Sequence, residues 1–144
     1  DIERASSGRF DADISLVYSR WDEFVSWVRH DLPDFPTVEI SAERIGAPSP
    51  CPRQVFAVGL NYREHAREAG IELPDEPMIF TKFPSSVTGP HGPIDLPRGP
   101  IDYEVELVAV VGRVASRVQA DQAMDHLAGV TLVSLDDLRR SATG

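Results

Sequence analysis

Cysteine occurs once, at Cys51, so neither an internal disulfide nor a thiolate metal cluster is available. Basic residues are scarce and scattered: 14 Lys and Arg stand against 23 Asp and Glu, for a net charge of −9. No basic block exists, which argues against nucleic acid and anionic membrane as partners. Long apolar runs are missing too. The longest, Leu107–Val111, is far too short to span a bilayer. The opening DIERASSGRF lacks the apolar core of a signal peptide, and a cytoplasmic protein is expected. There are no internal repeats and no low-complexity tracts.

What is present is enough chain, 144 residues, for one domain with a core. Along it, Ile14–Tyr18 reads as a short strand. Ser19 then reads as the N-cap of a helix with Asp22 and Glu23 in its first turn and Arg29 and His30 in its last. Trp21, Phe24, Val25 and Val28 recur at helical spacing and predict one core-facing stripe. Pro33 ends the helix. A strand is possible at Thr37–Ile40. Pro48, Pro50 and Pro52 exclude regular structure over Ala47–Arg53 and suggest a boundary. Residues 1–50 are therefore expected to form a small N-terminal lobe and proline-rich connector, with the main body over 51–144.

In the main body, Gln54–Leu60 reads as a strand ending near Gly59. A short helix follows between Asn61 and Gly70. Met78–Phe83 reads as a strand containing Lys82. Pro84–Pro100 is loop, with an exposed His91. Ala120–Leu127 reads as a short helix, and Gly129–Leu135 as a strand with Asp136 and Asp137 at its end.

Two arrangements could carry chemistry. Asp102–Gly112, DYEVELVAVVG, is a strand in which Glu104 and Glu106 point to one face, roughly 7 Å apart at Cα. That face continues as Val108 and Val110, while the other carries Tyr103, Val105, Leu107, Ala109 and Val111. Carboxylates on a face that turns apolar need neutralising, and a divalent cation would do it. An amphipathic strand with its glutamates in water is the plainer alternative. The second arrangement is His65 and Glu68, i and i+3 on the short helix, where a carboxylate can orient an imidazole as a general base. A solvated charged helix is the plainer reading, and Arg63, Glu64 and Arg67 suit it.

Four segments in this order, VGLNYREHAREAG (58–70), IFTKFPSSVTGP (79–90), IDYEVELVAVVGR (101–113) and AGVT (128–131), resemble the fumarylacetoacetate hydrolase family. The resemblance runs roughly from Ala47 to Arg140. It implies an α+β fold, a mixed β-sandwich roll, here incomplete at its C-terminus, with 51–144 as the N-terminal part of the catalytic domain. It implies homodimers, and Mg²⁺, Mn²⁺ or Ca²⁺ held by Glu104, Glu106 and a later aspartate. An ungapped match puts Leu135 at the aspartate position. An insertion of one residue puts Asp136 there and Arg140 at the arginine that follows, and Asp137 is a further option. Asp136 is the preferred third ligand, the inserted residue being absorbed in a bend or bulge. His65 and Glu68 match a catalytic dyad on a closing helix. Lys82 lies in a shared motif without an assigned role.

The activity implied is metal-dependent cleavage of a C–C bond in an acylpyruvate or diketo acid through an enolate. Alternatives on the same centre are isomerisation of a hydroxymuconate-type diacid and decarboxylation of oxaloacetate. Outside enzymology, an inactive or truncated metal-binding remnant and a small interaction module remain open readings.

Overall fold

The computed structural model describes residues 1–34, 38–68, 70–96, 98–99 and 101–138, with backbone only for 101–103 and 135–138. Its N-terminal part is helical. Helix α1 (Ile2–Ala5) is capped by Asp1, whose side chain accepts from the Arg4 amide. Residues Ile14–Val17 form helix α2, not the expected strand. The cause is local: the Asp13 carboxylate accepts a hydrogen bond from the Ser15 amide, which starts a helical turn. Ile14 and Val17 then fall one turn apart on the side packed into the core.

Helix α3 (Trp21–His30) follows a 3₁₀ turn at Tyr18–Arg20. Its ends carry the acidic and basic residues expected of them. Ser19 is not its cap. The Ser19 hydroxyl donates back to the Leu16 carbonyl, and the cap position belongs to Arg20, which makes no side-chain capping bond. The buried residue of α3 is Trp27, whereas Val28 of the expected stripe is exposed. Phe10 explains the change. It comes from the preceding loop, buries itself against Trp27, and meets Phe24 edge-on. Phe10, Val17 and Trp27 form the buried cluster, with Ile2, Ala5, Ile14, Trp21 and Phe24 around it.

Thr37 lies outside the described residues, and Val38–Ile40 are irregular, so the strand expected there is not formed over them. Beyond the proline-rich connector stand two antiparallel two-stranded ribbons. Strand β1 (Val55–Gly59) pairs with β2 (Met78–Lys82), and β3 (Ile101–Val111) pairs with β4 (Leu127–Leu138). Helix α4 (Arg63–Glu68) connects β1 to β2. It ends at Gly70, whose φ of +66° suits the left-handed turn there. The Gly70 amide reaches the Arg67 carbonyl and the Ile71 amide reaches that of Ala66, closing the helix as a glycine C-terminal motif. Ala120–His126 is a 3₁₀ helix, and Leu127 already belongs to β4.

The helical lobe meets the β3–β4 ribbon around Gly112. A Cβ added to Gly112 would lie 2.7 Å from the Trp21 ring and 3.0 Å from Ala128 Cβ, so only glycine fits between them. Beside this contact the Arg113 guanidinium pairs with Asp22 and donates to the Asp125 carbonyl. Tyr18 donates to the Pro48 carbonyl, fastening the connector to the same lobe. No described helix is long and apolar enough to cross a membrane.

Candidate metal centre and catalytic dyad

Strand β3 carries the two glutamates as the alternation requires. Glu104, Glu106, Val108 and Val110 are half-buried, while Val105, Leu107, Ala109 and Val111 are exposed. This inverts the plainer reading of the sequence. The side presented to solvent is the apolar one, and the glutamates sit on the more enclosed face. That face is closed at one end by the lobe, where Tyr18, Trp21, Pro48, Val110 and Thr131 line a small hollow of about 140 Å³. Among the described residues neither glutamate has an ion-pair partner.

The register across to β4 pairs Glu106 with Val133, Glu104 with Leu135, Tyr103 with Asp136 and Asp102 with Asp137. Pairing is continuous from Ile101↔Leu138 to Val110↔Gly129, and the single irregularity lies between Val110 and Val111. Between Thr131 and Asp136 the ladder has no bulge. The irregularity leaves Ala128 unpaired, where the Gly112 and Arg113 amides both reach the His126 carbonyl. The side chains of Asp136 and Asp137 lie outside the described residues. Among the described residues no three of His, Cys, Asp and Glu come together as a metal-ligating group.

The donors present nonetheless suit a hard cation. They are oxygen-only, share one face at i and i+2, and are half-buried beside valines where a bare pair of charges is unfavourable.

His65 and Glu68 are on α4 and both are exposed. No hydrogen bond joins them among the described contacts; the ion pair on this helix is Arg67 with Glu64. What holds α4 is Ala66, which is buried on the opposite side of the helix from solvent. The structure thus brings the glutamates together on β3 and places the histidine pair on α4, without joining the two into one cluster. Lys82 is half-buried on β2, with its ammonium 5.9 Å from the centroid of the Phe80 ring. His91, expected to be exposed, is so, and its Nε2 lies 2.8 Å from the Ala42 carbonyl. The contact of Trp21 with Gly112 had no signal in the sequence beyond an apolar helix stripe and a glycine after a strand.

Comparison with known proteins places these features. The family model described as fumarylacetoacetate (FAA) hydrolase C-terminal matches residues 54–139. A crystal structure of a Mycobacterium smegmatis protein provisionally named HpcE superposes with a TM-score of 0.85 at 45% identity, covering 94% of this chain and 48% of that one. The human mitochondrial oxaloacetate tautomerase FAHD2B is 40% identical over 103 residues, which are 70% of this chain and 32% of that protein. An uncharacterised protein of Pyrococcus abyssi is 45% identical over 84 residues, 57% of this chain and 37% of its own. The chain therefore spans about a third of the length of the curated relatives it matches. A family match over more than half of the chain, on segments that include both β3 and α4, makes it a member of the fumarylacetoacetate hydrolase family.

Proposed function

We propose that this chain carries the metal-binding part of an enzyme acting on 2-oxo or enol acids. The observation that carries the reading is the pair Glu104 and Glu106 on one half-buried face of β3, without a cationic partner among the described residues. Glu104 and Glu106 would hold Mg²⁺, Mn²⁺ or Ca²⁺, with a third carboxylate from the end of β4. Asp136 is the ligand that the family pattern favours if one residue is inserted. Asp137, whose backbone pairs with Asp102 in the ladder, is the alternative. When bound, the cation supplies Lewis acidity to the carboxylate and 2-oxo oxygens of a substrate.

His65 and Glu68 serve as general base and orienting carboxylate on a helix that closes over the substrate. In a hydrolytic reaction the His65 imidazole takes a proton from the attacking water, and Glu68 holds the ring and stabilises its protonated form. In an isomerisation the same imidazole moves a proton between carbon and oxygen of the substrate with no water attack. C–C hydrolysis of an acylpyruvate or diketo acid is the first reading. The isomerase class is the second, and the oxaloacetate tautomerase name of relatives 40% identical favours it. Oxaloacetate decarboxylation needs the same donors. The active form we propose is a homodimer.

The test is calorimetric titration of Mg²⁺ and Mn²⁺ into the chain and into Glu106→Ala, with acylpyruvate and oxaloacetate assays on the same samples. Metal uptake lost in the variant supports the centre. Absence of uptake by the unmodified chain rejects it and leaves a non-catalytic member of the family.

A further inference from the structure

Among the described residues, three that are not glycine have a left-handed backbone: Ser7, Leu60 and Arg117, with φ of +53°, +52° and +54°. Ser7 and Arg117 are exposed and lie outside both candidate arrangements. Leu60 is half-buried and joins β1 to the helix that carries His65 and Glu68. For a residue with a Cβ this conformation is disfavoured by roughly five- to thirty-fold, and glycine escapes the penalty. A glycine stands one position away, where its freedom is not used. The φ of Gly59 is not positive, and a Cβ added there would make ordinary contacts, 3.6 Å from the Phe80 ring and 3.7 Å from Met78 Cβ. Strain left unrelieved beside a glycine persists where the surroundings enforce it. Here they do so from both sides. The β1–β2 ladder runs up to the pair Gly59↔Met78, and the buried Ala66, whose amide reaches the Tyr62 carbonyl, anchors the first turn of α4.

We propose that Leu60 is a positioning residue for His65 and Glu68: its left-handed turn sets the direction in which α4 leaves β1, and so where the pair is presented. The functional half of this rests on the role given to His65 and Glu68 above. Returning Leu60 to an ordinary conformation would rotate the chain beyond it by about 100° or more around the Leu60 N–Cα bond. The ladder before it would be untouched, and α4 would point elsewhere. Little else on α4 resists such a turn, since Ala66 is its one buried residue and its charged side chains are exposed. The far junction differs. Gly70, with φ of +66°, accepts its left-handed turn without penalty. The direction of the helix is therefore held at Leu60 by backbone conformation, not by the packing of the Leu60 side chain.

Three substitutions separate backbone from side chain. Leu60→Val keeps an apolar side chain but is β-branched and refuses the left-handed turn. Leu60→Asn and Leu60→Gly lose the apolar side chain and accept the turn. Amide exchange over Arg63–Glu68, Mg²⁺ affinity by calorimetry, and kcat and KM for acylpyruvate hydrolysis are read for each. Leu60→Val should lower kcat about tenfold or more through misplacement of the base, speed exchange on α4, and leave Mg²⁺ affinity unchanged, because Glu104 and Glu106 lie on the other ribbon. Leu60→Asn and Leu60→Gly should stay close to the unmodified chain in both kcat and exchange. The reverse order, with valine tolerated and asparagine and glycine impaired, shows that the side chain matters and overturns the proposal. So does a valine variant equal to the unmodified chain, or one that loses Mg²⁺ binding along with activity. If the unmodified chain takes up Mg²⁺ but hydrolyses no acylpyruvate, the reading of His65 and Glu68 fails. The order of exchange rates on α4 then decides by itself whether Leu60 directs the helix.

Discussion

Individual residues in this chain are constrained by their neighbours in ways that differ in kind. Gly112 is constrained by space. Gly112→Ala would push a methyl group to 2.7 Å from the Trp21 ring and 3.0 Å from Ala128 Cβ, and neither neighbour is the free end of a flexible side chain. The expected cost is about 1–3 kcal/mol, as for other overpacked sites. A denaturation midpoint unchanged in that variant would show that the lobe and the ribbon do not meet there. Glu23 is constrained by charge. The hydrogen bond from the Arg20 guanidinium, aided by its charge, holds the Glu23 carboxyl below its usual range. A lowered folded-state pKa means that the pair stabilises the protein above the unfolded-state value and ceases to do so as pH falls through the folded one. Both groups are exposed, so the contribution is small. In Arg20→Ala the Glu23 carboxyl should titrate higher by NMR, and an unshifted midpoint would contradict the pairing. His65 is constrained by function in the reading proposed above. His65→Ala should leave Mg²⁺ affinity intact and lower hydrolysis about 10²–10⁴-fold. Metal loss in that variant would make His65 a ligand.

At the scale of elements, α4 is the one with the least to hold it. It is six residues long, its charged residues are exposed, and Ala66 is its one buried anchor. A helix this short owes its stability to tertiary contact, and a methyl group supplies little. Backbone amides of Arg63–Glu68 should exchange with solvent faster than those of Val105–Val110 in the β3 ladder. They should slow when a 2-oxo acid analogue binds in the presence of Mg²⁺. Protection equal to that of the ladder without any ligand would contradict a closing helix.

Over the whole molecule, burial is concentrated in the helical lobe. Phe10, Val17 and Trp27 are its buried cluster, while both ribbons keep one apolar face in water. The chain's two tryptophans, Trp21 and Trp27, are both on α3, so intrinsic fluorescence reports the lobe. Cooperative unfolding needs a shared core, and among the described residues the buried cluster of Phe10, Val17 and Trp27 contains no residue of either ribbon. Fluorescence and far-ultraviolet circular dichroism should therefore lose their signals at different denaturant concentrations. Coincident transitions would show that the lobe and ribbons unfold as one unit.

The sequence by itself determined the elements whose signal is local. Alternation in Asp102–Gly112 marked β3 and put Glu104 and Glu106 on one face. Capping charges marked α3, and Gly70 marked the end of α4. Four short segments sufficed to indicate the family, which the matched residues 54–139 establish. Ile14–Val17 went the other way because an aspartate cap outweighed a run of strand-forming residues, and Trp27 displaced Val28 from the core because Phe10 arrives from outside the helix. Only the tertiary structure decided which face of β3 is enclosed. Alternation separates two faces but assigns neither to solvent, because that depends on what packs across the sheet. It also decided the register of β4 and left Ala128 unpaired. Strand pairing is set by contacts distant in sequence, and here the Trp21 ring, seated against Gly112 and Ala128, packs where the ladder is interrupted.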